Sequence, residues 1–167
     1  MLREVADRSI LGIEDLKRNV DAGALHQAIQ MLDQARSIHV VGYRPASWVA
    51  AYLFYGLTQL GCRCFRIDLP ADAAQRHIAL LETEDLLVAV CLSDDDDSAV
   101  RVASAARKRR IPVLAFAHSA DHPLAVASDL FISFPEYPER RLQPWAPHIT
   151  FAQALLAALE ARRAERS

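Results

Sequence analysis

The stretch VVGYRPAS, residues 40–47, decides the fold, because an apolar run ends at Gly42 and a helical pattern begins within four residues. A second stretch, CLSDDDDS at residues 91–98, repeats this arrangement after another apolar run. Short apolar runs that alternate with amphipathic segments are typical of buried parallel strands joined by helices. In such sheets, ligands bind at the carboxyl ends of the strands. We therefore expect both turns to lie at one functional edge.

The same alternation continues along the chain. We predict strands at 38–41, 63–69, 85–92, 112–117 and 130–134, and helices at 9–18, 22–35, 46–60, 72–81, 98–110, 122–127 and 151–163. This order predicts an α/β fold of three layers, with a doubly wound, five-stranded parallel sheet in the flavodoxin-like order 2-1-3-4-5. The most apolar run, 85–92, takes the centre of the sheet, so the switch point falls between the first and third strands.

Length and composition indicate one globular domain. The chain has 167 residues, of which 52% are hydrophobic and 24% charged. We expect residues 1–35 to form N-terminal helices that pack on an α/β domain at 36–167, giving one structural domain overall. The segment 135–147 contains four prolines and is predicted to be an irregular excursion.

Charge and hydropathy exclude several classes of function. A net charge of −2 argues against a chain that itself grips nucleic acid. The longest apolar runs are too short to span a membrane, and the N-terminus lacks the layout of a signal peptide, so we expect a cytoplasmic protein. Cys62 and Cys64 lie two apart on a predicted strand, which suits buried reduced thiols better than a disulfide or zinc site. No cofactor or metal motif is recognised.

The first turn can receive an anion. Gly42 ends the strand where a side chain would crowd a ligand, and Pro45 suits the start of the following helix. Ser47 offers a hydroxyl at a helix N-terminus, whose free N–H groups favour negative charge. Arg44 adds a guanidinium that can hold a phosphate or carboxylate through two bonds. The alternative is that Arg44 is a solvated or ion-paired residue on an exposed turn.

The second turn brings four consecutive carboxylates, residues 94–97, to the same edge. In one interpretation they form a helix cap and a solvated acidic loop. In a second, Arg44 pairs across the crevice with one of them and closes the site. In a third, they bind a cation, although their spacing does not match a calcium loop.

Histidines follow the fourth predicted strand. His118, Asp121 and His122 lie on the same edge, where they could form a metal site or an acid–base pair, or simply be solvated. His148 follows the proline-rich segment and could reach either the pocket or a partner subunit. The sequence leaves these alternatives open.

Taken together, these segments resemble the sugar isomerase (SIS) domain, and more narrowly the C-terminal effector domain of MurR/RpiR-type bacterial transcriptional regulators. The resemblance covers nearly the whole chain and is carried by the order and spacing of several stretches. These are residues 35–44, 50–53, 57–61, 85–90, 105–112, 122–125, 128–129 and 151–155.

The turns depart from the family pattern. In one branch the first turn reads Gly-x-Arg-x-Ser, and here the final Ser is Ala46, with Ser47 one position later. The second turn reads Ser-x-Ser-Gly-x-Thr in the family, and here only Ser93 is kept while aspartates replace the Gly and the Thr. After the fourth strand the usual Thr-Asp is replaced by Ala117-His118, and the Ser of Ser-Pro-Leu by His122.

The resemblance implies a ligand-sensing, dimerising domain whose sugar-phosphate pocket is altered, because it has lost hydroxyls and gained negative charge. We expect no catalytic residues and no bound metal. The candidate ligand-binding residues are Gly42, Tyr43, Arg44, Ser47, Ser93, Asp94, Asp95, Asp96, Ser98 and His118.

The resemblance also implies partners: a carbohydrate-derived effector, and a homodimer or homotetramer. DNA would be bound only through a helix-turn-helix module that is not in this chain. The apolar stretch 48–55 is a candidate dimer face, although it could instead be wedged between the sheet and the N-terminal helices. The rival functions are a phosphosugar isomerase using His118, His122 or Glu136 as the base, and an oligomerisation domain with a closed crevice.

Overall fold

The computed structural model describes residues 1–92, 96–134 and 144–166. The helices of this part of the chain are α1 (Leu2–Asn19), α2 (Ala22–Gln34), α3 (Ala46–Gln59), α4 (Ala71–Ile78), α5 (Ser98–Lys108), α6 (Pro123–Val126) and α7 (Ala146–Ala164). The strands are β1 (Ile38–Gly42), β2 (Cys64–Ile67), β3 (Leu86–Val90), β4 (Val113–Ala117) and β5 (Leu130–Ser133).

The strands form one parallel five-stranded sheet in the order β2-β1-β3-β4-β5, which confirms the predicted fold class. β1 and β3 are direct neighbours, with Gly42 opposite Val90. Every residue of β1, β3 and β4 is buried, as expected for strands covered on both faces. The register brings the turn after β1 beside the turn after β3, at the predicted switch point.

Alternating side chains divide the interior into two cores, because successive strand residues point to opposite faces. Val40 and Val88 point to the face covered by α2, α3 and α7. Val41 and Ala89 point to the face covered by α4, α5 and α6. Leu16 of α1 joins the first core, so α1 shares an apolar interior with the sheet. The assignment of residues 1–35 and 36–167 to one structural domain remains a prediction.

Two helices are longer than the apolar pattern predicts. α1 begins at Leu2 instead of residue 9, although the side chains of residues 1–7 are exposed. An ion pair between Glu4 and Arg8, four residues apart, supports this exposed segment. α7 begins at Ala146 instead of residue 151, because Pro147 lies in its first turn, where proline is tolerated. The predicted excursion therefore ends before residue 146, and its residues 135–143 lie outside the described part.

Helices of the described residues are all too short or too polar to cross a bilayer. Cys62, Cys64 and Cys91 are not joined in disulfides. Burial raises the pKa of the Cys64 thiol to about 12, so this cysteine is protonated at neutral pH.

Candidate functional site

An ion pair joins the two turns at the carboxyl edge of the sheet. Arg44 Nε lies 3.5 Å from Asp96 Oδ2. Arg44 belongs to the turn after β1 and Asp96 to the turn after β3, so the expected meeting of these turns is observed. The Arg44 side chain is 65% exposed, whereas that of Asp96 is 15% exposed. Of the alternatives left open by the sequence, the structure therefore favours pairing across the crevice.

The backbone holds Arg44 in an unusual conformation. Its φ is +48°, in the left-handed region that a non-glycine residue rarely adopts. The Ser47 hydroxyl donates a hydrogen bond to the Arg44 carbonyl oxygen at 2.7 Å, and the Ser47 N–H donates to the same carbonyl at 3.1 Å. The Ser47 hydroxyl proton is therefore used inside the turn instead of being free for an anion.

Gly42 has a packing role that the sequence did not predict. A Cβ atom at this position would lie 2.7 Å from the Ala46 carbonyl oxygen and 3.0 Å from the Ala50 Cβ. A side chain at position 42 would therefore collide with the first turns of α3. The absence of a side chain lets α3 pack closely on the end of β1, and the expectation that Gly42 also makes room for a ligand stays a prediction.

Asp96 is fixed by the start of α5 as well as by Arg44. Its Oδ1 accepts a hydrogen bond of 3.0 Å from the Ser98 N–H, in the manner of a helix cap. Its backbone carbonyl lies 3.7 Å from Cys91 Sγ. Hydrogen bonds from Ser98 hold the pKa of Asp96 below its usual range against the opposing effect of burial, and Arg44 lowers this pKa further. Asp96 is therefore ionised and already forms an ion pair with the Arg44 guanidinium.

Tyr43 points toward the neighbouring edge strand. Its hydroxyl donates a hydrogen bond of 2.9 Å to the carbonyl of Leu69, which follows β2. Burial, together with the nearby Asp96 charge, raises the pKa of Tyr43. The phenol is therefore neutral at pH 7 and ties the β1 turn to the end of β2.

His118 lies at the same sheet edge, after β4, and is half-buried. Its ring packs edge-on against His122 at a centroid distance of 5.4 Å. His122 is buried and its Nδ1 accepts a hydrogen bond from the Leu124 N–H, so it caps α6. Groups of three or more His, Cys, Asp or Glu able to hold a metal do not occur among the residues that the structure describes.

Four of the residues that the sequence analysis named as candidates lie outside the described part of the chain: Ser93, Asp94, Asp95 and Glu136. The turns after β1 and β3 bring together six of the candidate ligand-binding residues: Gly42, Tyr43, Arg44, Ser47, Asp96 and Ser98. His118 shares their edge of the sheet, and its ring contacts that of His122.

A buried polar network at the opposite edge was not predicted. Ser37 Oγ donates to Asp85 Oδ1 at 2.6 Å and lies 2.9 Å from His39 Nε2. Arg36 binds the same carboxylate through two hydrogen bonds of 2.9 and 2.7 Å. Arg36 and then Ser37 hold the pKa of Asp85 far below its usual range. In the sequence, this network shows only as polar residues beside two apolar strands. That pattern does not distinguish a buried polar network from strand ends that are exposed to solvent.

Comparison with protein families identifies the class. The SIS domain family model matches residues 31–162, so the chain belongs to the SIS domain family. An uncharacterized HTH-type transcriptional regulator from Thermotoga maritima is 25% identical over 126 residues, which are 75% of this chain and 44% of that protein. The chain thus spans less than half the length of this curated relative.

Solved structures have the same fold. The sugar isomerase domain of an RpiR transcription factor from Sphaerobacter thermophilus superposes with a TM-score of 0.93 at 22% identity, covering 99% of this chain and 93% of that one. The Vibrio vulnificus NanR protein complexed with ManNAc-6P gives a TM-score of 0.82 at 23% identity, covering 99% and 62%. Phosphoheptose isomerase from Neisseria gonorrhoeae gives 0.79 at 16% identity, covering 96% and 100%.

Proposed function

We propose that this chain is the ligand-sensing, dimerising SIS domain of an RpiR-type transcriptional regulator, and that its effector is a phosphorylated carbohydrate derivative. The proposal rests on one observation above all, the exposed Arg44 held by Asp96 at the sheet's functional edge. Family membership and the ManNAc-6P complex of NanR support the choice of ligand class. On this proposal, DNA contact belongs to a helix-turn-helix module outside these residues.

Asp96 competes with the ligand for Arg44. An ion pair this exposed contributes roughly 0–1 kcal/mol, so a phosphate that binds the guanidinium through two bonds can displace the carboxylate. The displaced charge stays close, however. At ~5 Å and an effective dielectric of about 20, two unit charges repel by roughly 3 kcal/mol, and solvent at this exposed edge reduces that figure. Asp96 therefore weakens phosphate binding without abolishing it.

Calorimetry with ManNAc-6P and a panel of other sugar phosphates tests the proposal. Asp96→Asn keeps an oxygen that can accept from Ser98 but removes the competing charge, so we expect roughly tenfold tighter binding. Asp97→Asn is the matched control, because Asp97 is exposed and makes no side-chain cap hydrogen bond. It should change the affinity less than threefold. Arg44→Gln should abolish binding. Equal effects of the two Asn variants, with Arg44→Gln binding like the wild type, would refute the proposed site.

A phosphosugar isomerase is the second candidate, because phosphoheptose isomerase has the same fold and His118 lies at the functional edge. Such an enzyme needs a base beside the held phosphate. Incubating the protein with a panel of sugar phosphates and recording NMR spectra distinguishes the two functions, because the spectra show whether a sugar phosphate is isomerised. Isomerisation by the wild type that is lost in His118→Ala would favour the enzyme, whereas binding without turnover favours the sensor.

A further inference from the structure

The chain passes from β1 into α3 through three residues, 43–45, and Arg44 takes a strained conformation within this short turn. Its φ of +48° lies in the left-handed region, where the Cβ of a non-glycine residue is crowded. Arg44 also precedes Pro45, and a proline favours an extended conformation of the residue before it. Arg44 therefore departs from its local preference, so the surrounding structure must hold it there.

Hydrogen bonds from Ser47 hold this turn. The Ser47 hydroxyl donates to the Arg44 carbonyl oxygen at 2.7 Å, and the Ser47 N–H donates to the same oxygen at 3.1 Å. The Ala46 N–H donates to the Tyr43 carbonyl oxygen at 3.0 Å. Of these three bonds, the first is made by a side chain. A substitution can therefore remove it and leave both backbone donors in place.

The backbone conformation of Arg44 decides where its guanidinium lies. The side chain is 65% exposed, so packing fixes little of its length, and its direction follows from the conformation of the turn. In this conformation Arg44 Nε lies 3.5 Å from Asp96 Oδ2 at the start of α5. Asp96 is itself held by a hydrogen bond from the Ser98 N–H, so it is a fixed reference for the position of Arg44.

We propose that Ser47 is a positioning residue whose hydroxyl holds Arg44 in the left-handed conformation and thereby places the guanidinium where an anion binds. This inference rests on the proposed function, in which Arg44 binds the phosphate group, and deepens it. Ser47 then strengthens anion binding without touching the anion, because the Arg44 carbonyl already accepts its hydroxyl proton. A direct contact between the hydroxyl and the anion predicts a different result for a variant that lacks the hydroxyl.

The pKa of Asp96 in the free protein reports the position of Arg44 without any ligand. Carbon-13 NMR of the aspartate carboxyl groups follows this pKa, and the Asp96 signal is assigned by its loss in Asp96→Asn. The Tyr43 phenol, which interacts with the Asp96 charge, and the neighbouring aspartates at 94, 95 and 97 are kept in every variant compared. A change in this pKa therefore reports Arg44.

Three variants show whether Ser47 acts through Arg44. Arg44→Gln should raise the pKa of Asp96, because it removes the neighbouring cation. Ser47→Ala should raise it by part of that amount, because the guanidinium is no longer held beside the carboxylate. The double variant Ser47→Ala/Arg44→Gln should raise it no further than Arg44→Gln alone.

Two further variants separate positioning from a general effect on α3. Thr58→Val is the matched control, because the Thr58 hydroxyl donates a hydrogen bond of 2.8 Å to the Phe54 carbonyl oxygen, about three turns further along the helix. It removes the same kind of bond and should leave the pKa of Asp96 unchanged. Ser47→Thr keeps the hydroxyl and should keep the wild-type pKa.

Calorimetry with ManNAc-6P measures the consequence for binding. Ser47→Ala should bind ManNAc-6P roughly fivefold more weakly than the wild type, which is the effect expected from the loss of one hydrogen bond. Ser47→Thr and Thr58→Val should bind it like the wild type. Inorganic phosphate should rank the variants in the same order, because Arg44 recognises the anionic group.

The outcomes distinguish this inference from the proposed function. If Ser47→Ala leaves the pKa of Asp96 unchanged, the inference is wrong, and weaker ManNAc-6P binding by this variant would then identify a direct contact of the hydroxyl with the anion. An equal rise of the pKa when Arg44→Gln is already present would also overturn it, because Ser47 would act on Asp96 by another route. A raised pKa with wild-type affinity for ManNAc-6P would overturn it as well, and the proposed function would stand. If the pKa changes as expected but no sugar phosphate binds the wild type, the proposed function fails and the positioning of Arg44 by Ser47 stands.

Discussion

A side chain at position 42 would collide with the backbone of α3. We expect Gly42→Ala to destabilise the protein by about 1–3 kcal/mol, because the new Cβ would meet the backbone of α3, which cannot move aside as a side chain can. Urea denaturation measures this loss as a lower midpoint. Gly23→Ala is the control, since the atoms nearest to a Cβ there belong to the Asp21 side chain, the closest at 3.1 Å, and not to the backbone. A stability equal to that of the wild type in Gly42→Ala would contradict the packing role.

His39 makes the stability depend on pH. Burial and the neighbouring His77 lower the pKa of His39 from 6.5 to about 4. Between these values the unfolded chain binds a proton that the folded protein does not, so the free energy of unfolding falls as the pH drops from 6.5 toward 4. Each such histidine contributes up to about 1.4 kcal/mol per pH unit. Above pH 6.5 this effect vanishes.

Urea unfolding at several pH values between 4.5 and 7 checks this dependence. We expect His39→Gln to reduce the slope of the free energy of unfolding against pH by about one proton, while His148, whose pKa burial also lowers to about 4, keeps its own contribution. His26→Gln, on the exposed face of α2, should leave the slope unchanged. An unaltered slope in His39→Gln would show that His39 is protonated alike in the folded and unfolded states.

At the residue scale, the sequence predicted the types of group at the site better than their partners. Arg44 and Asp96 were recognised because each follows a buried strand. The use of the Ser47 hydroxyl within its own turn was not, since it depends on the positive φ of Arg44. The buried network of Ser37, His39 and Asp85 depends on register across strands, which a local pattern does not contain.

At the scale of elements, one carboxylate joins α2 to the end of α7. The side chain of Asp33 on α2 is 4% exposed and accepts hydrogen bonds from Arg162, Arg163 and Arg166. The same Arg163 donates to the carbonyl of Leu60 at the end of α3. These arginines hold the pKa of Asp33 below its usual value against the effect of burial.

We expect Asp33→Ala to destabilise the protein by about 2–4 kcal/mol, because three guanidinium groups would lose their shared partner. Thermal unfolding should show a lower melting temperature. Glu14→Ala is the control, since Glu14 forms an exposed pair with Arg18 on α1 that contributes roughly 0–0.5 kcal/mol. Equal melting temperatures for the two variants would indicate that the Asp33 cluster adds nothing to the packing of α2 on α7.

The sequence predicted the type and order of the elements almost completely, because apolar strands and amphipathic helices leave strong periodic signals. The ends of α1 and α7 were predicted poorly. The first half of α1 buries no apolar face, so periodicity could not reveal it. The start of α7 was obscured by Pro147, which usually signals an interruption but here lies in the first helical turn.

At the scale of the whole molecule, α3 presents an apolar face to solvent. Trp48 and Tyr55, two turns apart on this helix, are 73% and 62% exposed. The opposite side of α3 packs on the sheet and on α7, so α3 is not wedged under the N-terminal helices. Large exposed aromatic side chains on one face are typical of interaction surfaces. We propose that a second copy of the chain covers this face.

Light scattering after size-exclusion chromatography tests this assembly. We expect a dimer for the wild type and a monomer for the double variant Trp48→Glu/Tyr55→Glu, because two carboxylates on each copy would be buried without partners. Leu80→Glu is the control, since Leu80 is 77% exposed and lies two residues after the end of α4, which covers the opposite face of the sheet from α3. It should leave the dimer intact. If the wild-type protein is a monomer, or if the double variant is still a dimer, this face of α3 is not a dimer interface. In either case the exposed face of α3 would need another partner.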